Sequence, residues 1–207
     1  ANVLDKASLE QAREEVLKEF GSVDILVNGA GGNKAQATTS KDLSFFDLDL
    51  DAFKWVFDLN VTGAVLTTMV FGELLAKQGY GNVINIASMA SYHPLTNTVA
   101  YCGAKAAVAN FTEWMAVHFN KNYSTNIRVN AIAPGFLLTT QNQFLMQKED
   151  GTPTDRGQRV LDKTPMARYG QPEEMAGAVI WLCSDAASFV NGAVIPIDGG
   201  FSAFWGI

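Results

Sequence analysis

Ser88, Tyr101 and Lys105 are spaced so that together they could move a proton. A phenol alone is a poor acid or base near neutrality, since its ordinary pKa is about 10. A neighbouring ammonium favours the phenolate, so Lys105 is expected to draw Tyr101 towards working pH. Positions i and i+4 share one helix face, which sets the ammonium beside the phenol. Ser88 would supply a hydroxyl to hold the oxygen of a carbonyl or alcohol. The chemistry is proton transfer at that oxygen while a hydride moves elsewhere. The plain alternatives are a helix with Tyr101 at its buried edge, Lys105 in water, and Ser88 as a strand-end turn serine.

The elements that must position these groups are legible in the hydrophobic pattern. An apolar strand at 82–87 delivers Ser88, and a helix at 100–120 carries Tyr101 and Lys105, with Val108, Phe111 and Met115 on its packing stripe. Two more strand ends flank them, at 26–31 and 130–135; an open parallel sheet places its ligands at such ends. The remaining pattern predicts a helix at 4–20 stopped by Gly21, a strand at 23–27, and a polar loop at 31–44. A short helix at 50–57 follows, then an interruption at Asn60, a long helix at 61–78 and a break at 79–81. Further along come a strand at 126–133, an irregular stretch at 136–168 with helical pieces near 141–147 and 157–163, a helix at 172–184 and a strand at 193–197. Strands alternating with helices predict an α/β fold with a parallel sheet, as one domain over 1–207. The long irregular stretch points to function.

Composition excludes other classes. The net charge of −6 is not basic enough to propose nucleic acid as a partner. Two cysteines, Cys102 and Cys183, predict reduced thiols in cytoplasm rather than a stapled secreted domain. Cys102 reads as a small helix-packing residue, not a nucleophile. His93 and His118 have no metal-ligand spacing with either cysteine, so no metal is expected. No run is expected to reach the apolar length of a membrane helix, and the amphipathic start is no signal peptide.

Further residues stand in fixed order around these signals: Asn28, Gly29, Ala30 and Gly31; Asn60; Pro134 and Gly135 with Thr139; and the closing Ile197, Asp198, Gly199 and Gly200. The whole set resembles the short-chain dehydrogenase/reductase family from about residue 2 to residue 200. The resemblance implies a Rossmann-like doubly wound parallel sheet in three layers, and NAD or NADP as cofactor. It implies a secondary alcohol interconverted with a ketone, Tyr101 as general acid/base, Lys105 also bonding the nicotinamide ribose, and Ser88 orienting the substrate oxygen. Asn60 would kink its helix and free a carbonyl for a proton-relaying water; a plain cap between two helices is the alternative. Asn2, Asn28, Gly29, Ala30 and Gly31 would line the adenosine side, although Gly29 stands where the family usually has a second Asn. Pro134, Gly135, Leu137 and Thr139 would meet the carboxamide.

For the substrate, His93, Gln141, Asn142 and Asn33 lie in loops expected to face the pocket beside Ser88 and Tyr101. Several polar groups there suit a hydroxylated small molecule. Residues 29–33 followed by Ala37, Thr38 and Thr39 are similar to sugar-acid reductases of the mannonate oxidoreductase (fructuronate reductase) type. The family pattern also begins with a β-α-β-α-β portion and a glycine-rich turn that do not precede Asn28 here, so NAD and NADP are not distinguished. The strand at 24–28 is then an unpaired edge, and these residues alone are expected not to form a stable, cofactor-competent monomer. Helices 61–78 and 100–120 correspond to a four-helix dimer contact in the family, which implies a homo-oligomer, and the apolar tail 201–207 is expected to pack on a neighbour. Two other functions stay open: a binding or assembly module without catalysis, and a dehydratase or epimerase on the same scaffold.

Overall fold

Asp5 opens the first helix, α1 (Lys6–Phe20), by accepting from the backbone N–H groups of Ala7 and Ser8, which offsets two donors the helix leaves unpaired. Gly21 closes it at φ 79°, a left-handed conformation that suits glycine. The computed structural model describes residues 1–140 and 142–206. After α1 come β1 (Ile25–Asn28), α2 (Leu50–Phe57), α3 (Gly63–Gln78), β2 (Gly81–Ile86), α4 (Val99–Asn122) and β3 (Ile127–Pro134). Two short helices, α5 (Gln143–Met146) and α6 (Asp155–Lys163), then α7 (Ala176–Cys183) and β4 (Val194–Ile197), complete the order.

The four strands are all parallel and lie in the order β1-β2-β3-β4. Neighbouring residues along a strand point to opposite faces. Val83 and Ile84, adjacent in β2, are accordingly buried in different cores. Val83 packs with Leu26, Val129, Leu75 and Phe119 beneath α3 and α4, while Ile84 packs with Ile132 and Leu182 beneath α7. Helices cover both faces, which explains why the strands read as continuous apolar runs. The result is the three-layered Rossmann-like α/β fold that the sequence predicts. The register aligns Asn28 with Asn85, Ile86 with Ile132 and Pro134 with Ile197, so the carboxyl ends of all four strands meet along one edge of the sheet.

Two expectations need correction. Asn60 does not divide two helices. It sits in a π-helical turn, Asp58–Thr62, that joins α2 to α3 without a break. The resulting helix, Leu50–Gln78, is long and apolar enough to cross a membrane by length and composition. Half of its most apolar stretch is buried inside the protein, as a core helix would be. The tail also makes contacts within its own chain, while Trp205 stays 79% exposed. Phe201 rests edge-on against Phe136, Lys163 Nζ lies 5.7 Å from the Phe204 ring, and Trp205 meets His93 edge-on at 6.1 Å. Among the described residues the outer side of β1 has no strand partner, and Ile25 and Val27 are exposed there.

Candidate active site

Ser88 follows β2 directly, and its Oγ accepts from the Ala90 N–H to start a 3₁₀ turn, Met89–Ser91. Ser91 Oγ then donates to the Lys105 carbonyl, which ties that turn to α4. On α4 the i, i+4 spacing does what the sequence predicts: Lys105 Nζ lies 5.6 Å from the centre of the Tyr101 ring. The lysine is only 5% exposed, and its Nζ donates to the Ile86 carbonyl at 2.7 Å, at the end of β2. Ser88 lies close enough to Tyr101 for its hydroxyl to act on the phenol. Three elements therefore bring the two hydroxyls and one ammonium to the carboxyl edge of the sheet.

The electrostatics differ from the sequence expectation. Burial pushes the Tyr101 phenol above its ordinary value, and the neighbouring Ser88 hydroxyl only partly opposes the rise. Burial also lowers Lys105, to about 8. A desolvated ammonium is harder to charge. Lys105 thus holds its charge only up to mildly alkaline pH, and in the chain by itself it does not bring Tyr101 down. The group that lowers Tyr101 here is Ser88.

Asn60 is buried and works as a brace rather than a cap. Its Nδ2 donates to the carbonyls of Val56 and Gly32 at 2.8 and 2.7 Å, and its Oδ1 accepts from the Gly32 N–H at 3.3 Å. The amide occupies the backbone groups that a π turn leaves irregular, and it clamps the loop after β1. That clamp requires glycine at 31: a Cβ there would stand 2.7 Å from Asn60 Oδ1 and 3.3 Å from Lys105 Nζ.

Asn28 ends β1 inside a polar chain that sequence reasoning missed. Its Nδ2 donates to Thr68 Oγ1 and to Asn85 Oδ1, Asn85 Nδ2 donates to Thr112 Oγ1, and Thr112 Oγ1 donates to the Val108 carbonyl. The chain crosses from α3 through two strands to α4. The available signal was Asn85, set between two isoleucines in β2. Asn28 Oδ1 is buried and has no hydrogen-bond partner among the described residues. Beyond it, Gly29 has open space where a Cβ would be, and Ala30 follows in the same loop.

Pro134 ends β3 opposite Ile197, and the Gly135 N–H continues the ladder to the Ile197 carbonyl. A Cβ at Gly135 would stand 2.6 Å from the Asp198 Cα, so this turn also requires glycine. Leu137 bridges to Gly170 and its carbonyl accepts from Asn142 Nδ2. The Thr139 N–H donates to Asn142 Oδ1 at 2.9 Å. Both ends of the Asn142 amide are therefore engaged in shaping the loop that presents Leu137 and Thr139. Asn2 Oδ1 accepts from the Leu4 N–H, and the Asn2 backbone N–H donates to Ser8 Oγ. Val3 beside it packs on Gly63 at the start of α3, which keeps this segment near the π turn. His93 is exposed on the loop after Ser88, where Trp205 covers its edge. Gln141 lies outside the described residues. Cys102 packs against Leu95 and Thr98 in the wall behind the site, as a structural residue would.

This arrangement is shared with known proteins. A family model described as enoyl-(acyl carrier protein) reductase matches residues 1–202. The chain is 48% identical over 216 residues to the uncharacterized oxidoreductase UxuB of Bacillus subtilis, covering 100% of this chain and 77% of that protein. A candidate D-mannonate oxidoreductase of Haemophilus influenzae, solved with bound NAD, superposes with a TM-score of 0.91 at 46% identity, over 100% of this chain and 77% of that one. A gluconate 5-dehydrogenase of Burkholderia cenocepacia, solved with NADP and tartrate, superposes at 0.84 with 28% identity, over 99% and 74%. With the parallel sheet, the serine at the end of β2 and the tyrosine–lysine pair on α4, these matches show that the chain belongs to the short-chain dehydrogenase/reductase family of oxidoreductases.

Proposed function

We propose that this protein interconverts a secondary alcohol and a ketone on a sugar acid or polyol of the D-mannonate or fructuronate kind, with NAD or NADP as hydride carrier. The observation that carries the reading is a buried Lys105 one turn along the same helix from Tyr101, with Ser88 beside the phenol just after β2. The residues present fit a nicotinamide nucleotide: Gly29 leaves room for a ligand against the backbone, and Asn28 Oδ1 is a buried acceptor awaiting a donor. Asn28, Gly29, Ala30 and Gly31, with Asn2 nearby, would hold its adenosine side. Pro134, Gly135, Leu137 and Thr139 would hold the carboxamide, and Tyr101 and Lys105 the ribose. When bound, the nicotinamide supplies or accepts the hydride.

In the reducing direction Ser88 donates a hydrogen bond to the ketone oxygen and fixes it beside Tyr101. Tyr101 gives that oxygen its proton as the carbonyl carbon gains the hydride, so the product is the alcohol and the phenol becomes a phenolate. Lys105, on the same helix face, passes a proton back to it. Asn60 fixes the Gly31–Gly32 backbone against the lysine and so limits where Nζ can stand. The oxidising direction reverses each move. Because burial raises Tyr101, the phenolate forms readily only at alkaline pH, and alcohol oxidation is expected to accelerate as pH rises.

The sugar-acid reading is supported by the likeness to the D-mannonate and gluconate enzymes and by polar loops around the site. The outward sides of α3 and α4 expose Met69, Trp114 and Val117, which supports a homo-oligomer through those helices. The test is a substrate panel with the natural gene product and either nucleotide, followed by the absorbance of the reduced nicotinamide. Turnover of hexonates or their keto forms is expected. Turnover confined to apolar ketones would overturn the substrate class, and none with any alcohol or ketone would overturn the reaction.

A further inference from the structure

The first turn of α4 carries Tyr101, yet Thr98 at its N-cap makes no side-chain capping bond. Something else must fix where that turn begins. The residue before it, Asn97, has φ 73°, the left-handed region that asparagine enters more readily than most residues. Its carbonyl accepts from the Thr39 N–H at 3.0 Å, and its Oδ1 accepts from Thr39 Oγ1 at 3.2 Å. One threonine from the loop after β1 thus holds both acceptors of the residue that leads into the catalytic helix.

That loop is itself anchored on the site. Gly32 is clamped by Asn60, Lys34 Nζ lies 4.3 Å from the Trp55 ring on α2, and the Gln36 carbonyl accepts from the Asp49 N–H. Ala37 is buried against Ala100 and Ala104, one on each side of Tyr101 in sequence. Residues 31–39 therefore form a bracket, with Asn60 and Lys105 at one end and the root of Tyr101 at the other. From this juxtaposition we propose that Thr39 and Asn97 are a pair of positioning residues that set the Tyr101 hydroxyl against Ser88. The proposal rests on the acid/base role given to Tyr101 above.

The chemistry of the clasp defines its test. Thr39→Val keeps the shape and the backbone N–H but removes the hydroxyl. Asn97→Gly keeps the left-handed backbone but removes the amide. In the natural gene product each should lower kcat about tenfold, since small misplacement of a reacting group has large effects, while the KM for nucleotide changes less than about twofold. The alkaline limb of the kcat profile should move to higher pH, because a displaced Tyr101 loses the neighbouring Ser88 hydroxyl that lowers it. Thr39→Ser should restore both, and the double variant should be no worse than either single one.

A kcat loss with an unmoved pH profile, or one that tracks thermal stability alone, would assign the pair a purely structural role and overturn the proposal. Wild-type kcat in both variants, with Tyr101→Phe inactive, would overturn it too and leave the role of Tyr101 standing. An active Tyr101→Phe would overturn the reading beneath it instead. Should Thr39→Val fail to fold, Asn97→Gly carries the same comparison.

Discussion

The two sides of the cleft are built differently. On one side, β1, β2 and the long helices α3 and α4 hold Asn28, Asn60, Ser88, Tyr101 and Lys105 through buried bonds between elements far apart in sequence. On the other, residues 136–170 and the tail use short helices, α5 and α6, around a small core of Met146, Val160 and Tyr169. Their polar bonds are mostly local, such as Asn142 to Leu137 and Thr154 to Leu145. Trp205, covering His93, is 79% exposed. Proton transfer needs positions fixed to a fraction of an ångström, which a cooperative core supplies. A substrate wall needs only shape and polarity, and short local elements can vary without disturbing the core.

Breaking the first side should therefore have the larger consequences. Lys105→Met is expected to lower turnover by about 10²-fold or more, read by steady-state kinetics. The same variant tests the buried charge. Lys105 titrates near 8 in the fold against 10.5 when exposed. Between those values the unfolded chain binds the extra proton, so stability should rise with pH across that window, by about 3 kcal/mol at most. Denaturant unfolding from pH 7 to 10.5 should show the rise in wild type and a flatter curve in Lys105→Met.

Asn85→Ala tests the polar chain. Asn85 is fully buried and links Asn28 to Thr112, so its removal leaves buried polar groups unpaired. A loss of about 1–3 kcal/mol is expected, measurable as a shift in the urea midpoint. Trp205→Ala sharpens the other side. It should weaken substrate binding by about 1 kcal/mol, roughly fivefold in KM, with kcat and unfolding midpoint nearly unchanged. An equal loss of stability in both variants would erase the distinction between the two sides.

Much of the side built on β1, β2, α3 and α4 was legible because its signals are chemical and short-range. A serine closing an apolar strand, a tyrosine and lysine one turn apart, and glycines at strand ends each imply geometry directly. The sheet and helices followed from periodicity, with ends displaced by one or two residues except at α7, where Pro172–Met175 form a 3₁₀ turn ahead of the helix. What escaped notice depends on tertiary closure. That Asn60 continues the helix through a π turn is decided by Gly32, which lies 28 residues earlier. The direction of the Tyr101 shift depends on how much water the fold removes, which spacing does not encode.

The central claim is that the Tyr101 hydroxyl carries the proton. Tyr101→Phe removes one oxygen atom from a buried ring and leaves its packing in place. Turnover with a hexonate substrate should fall by about 10²–10⁴-fold, with nucleotide affinity and the unfolding midpoint close to wild type. Turnover within a few-fold of wild type would contradict the account.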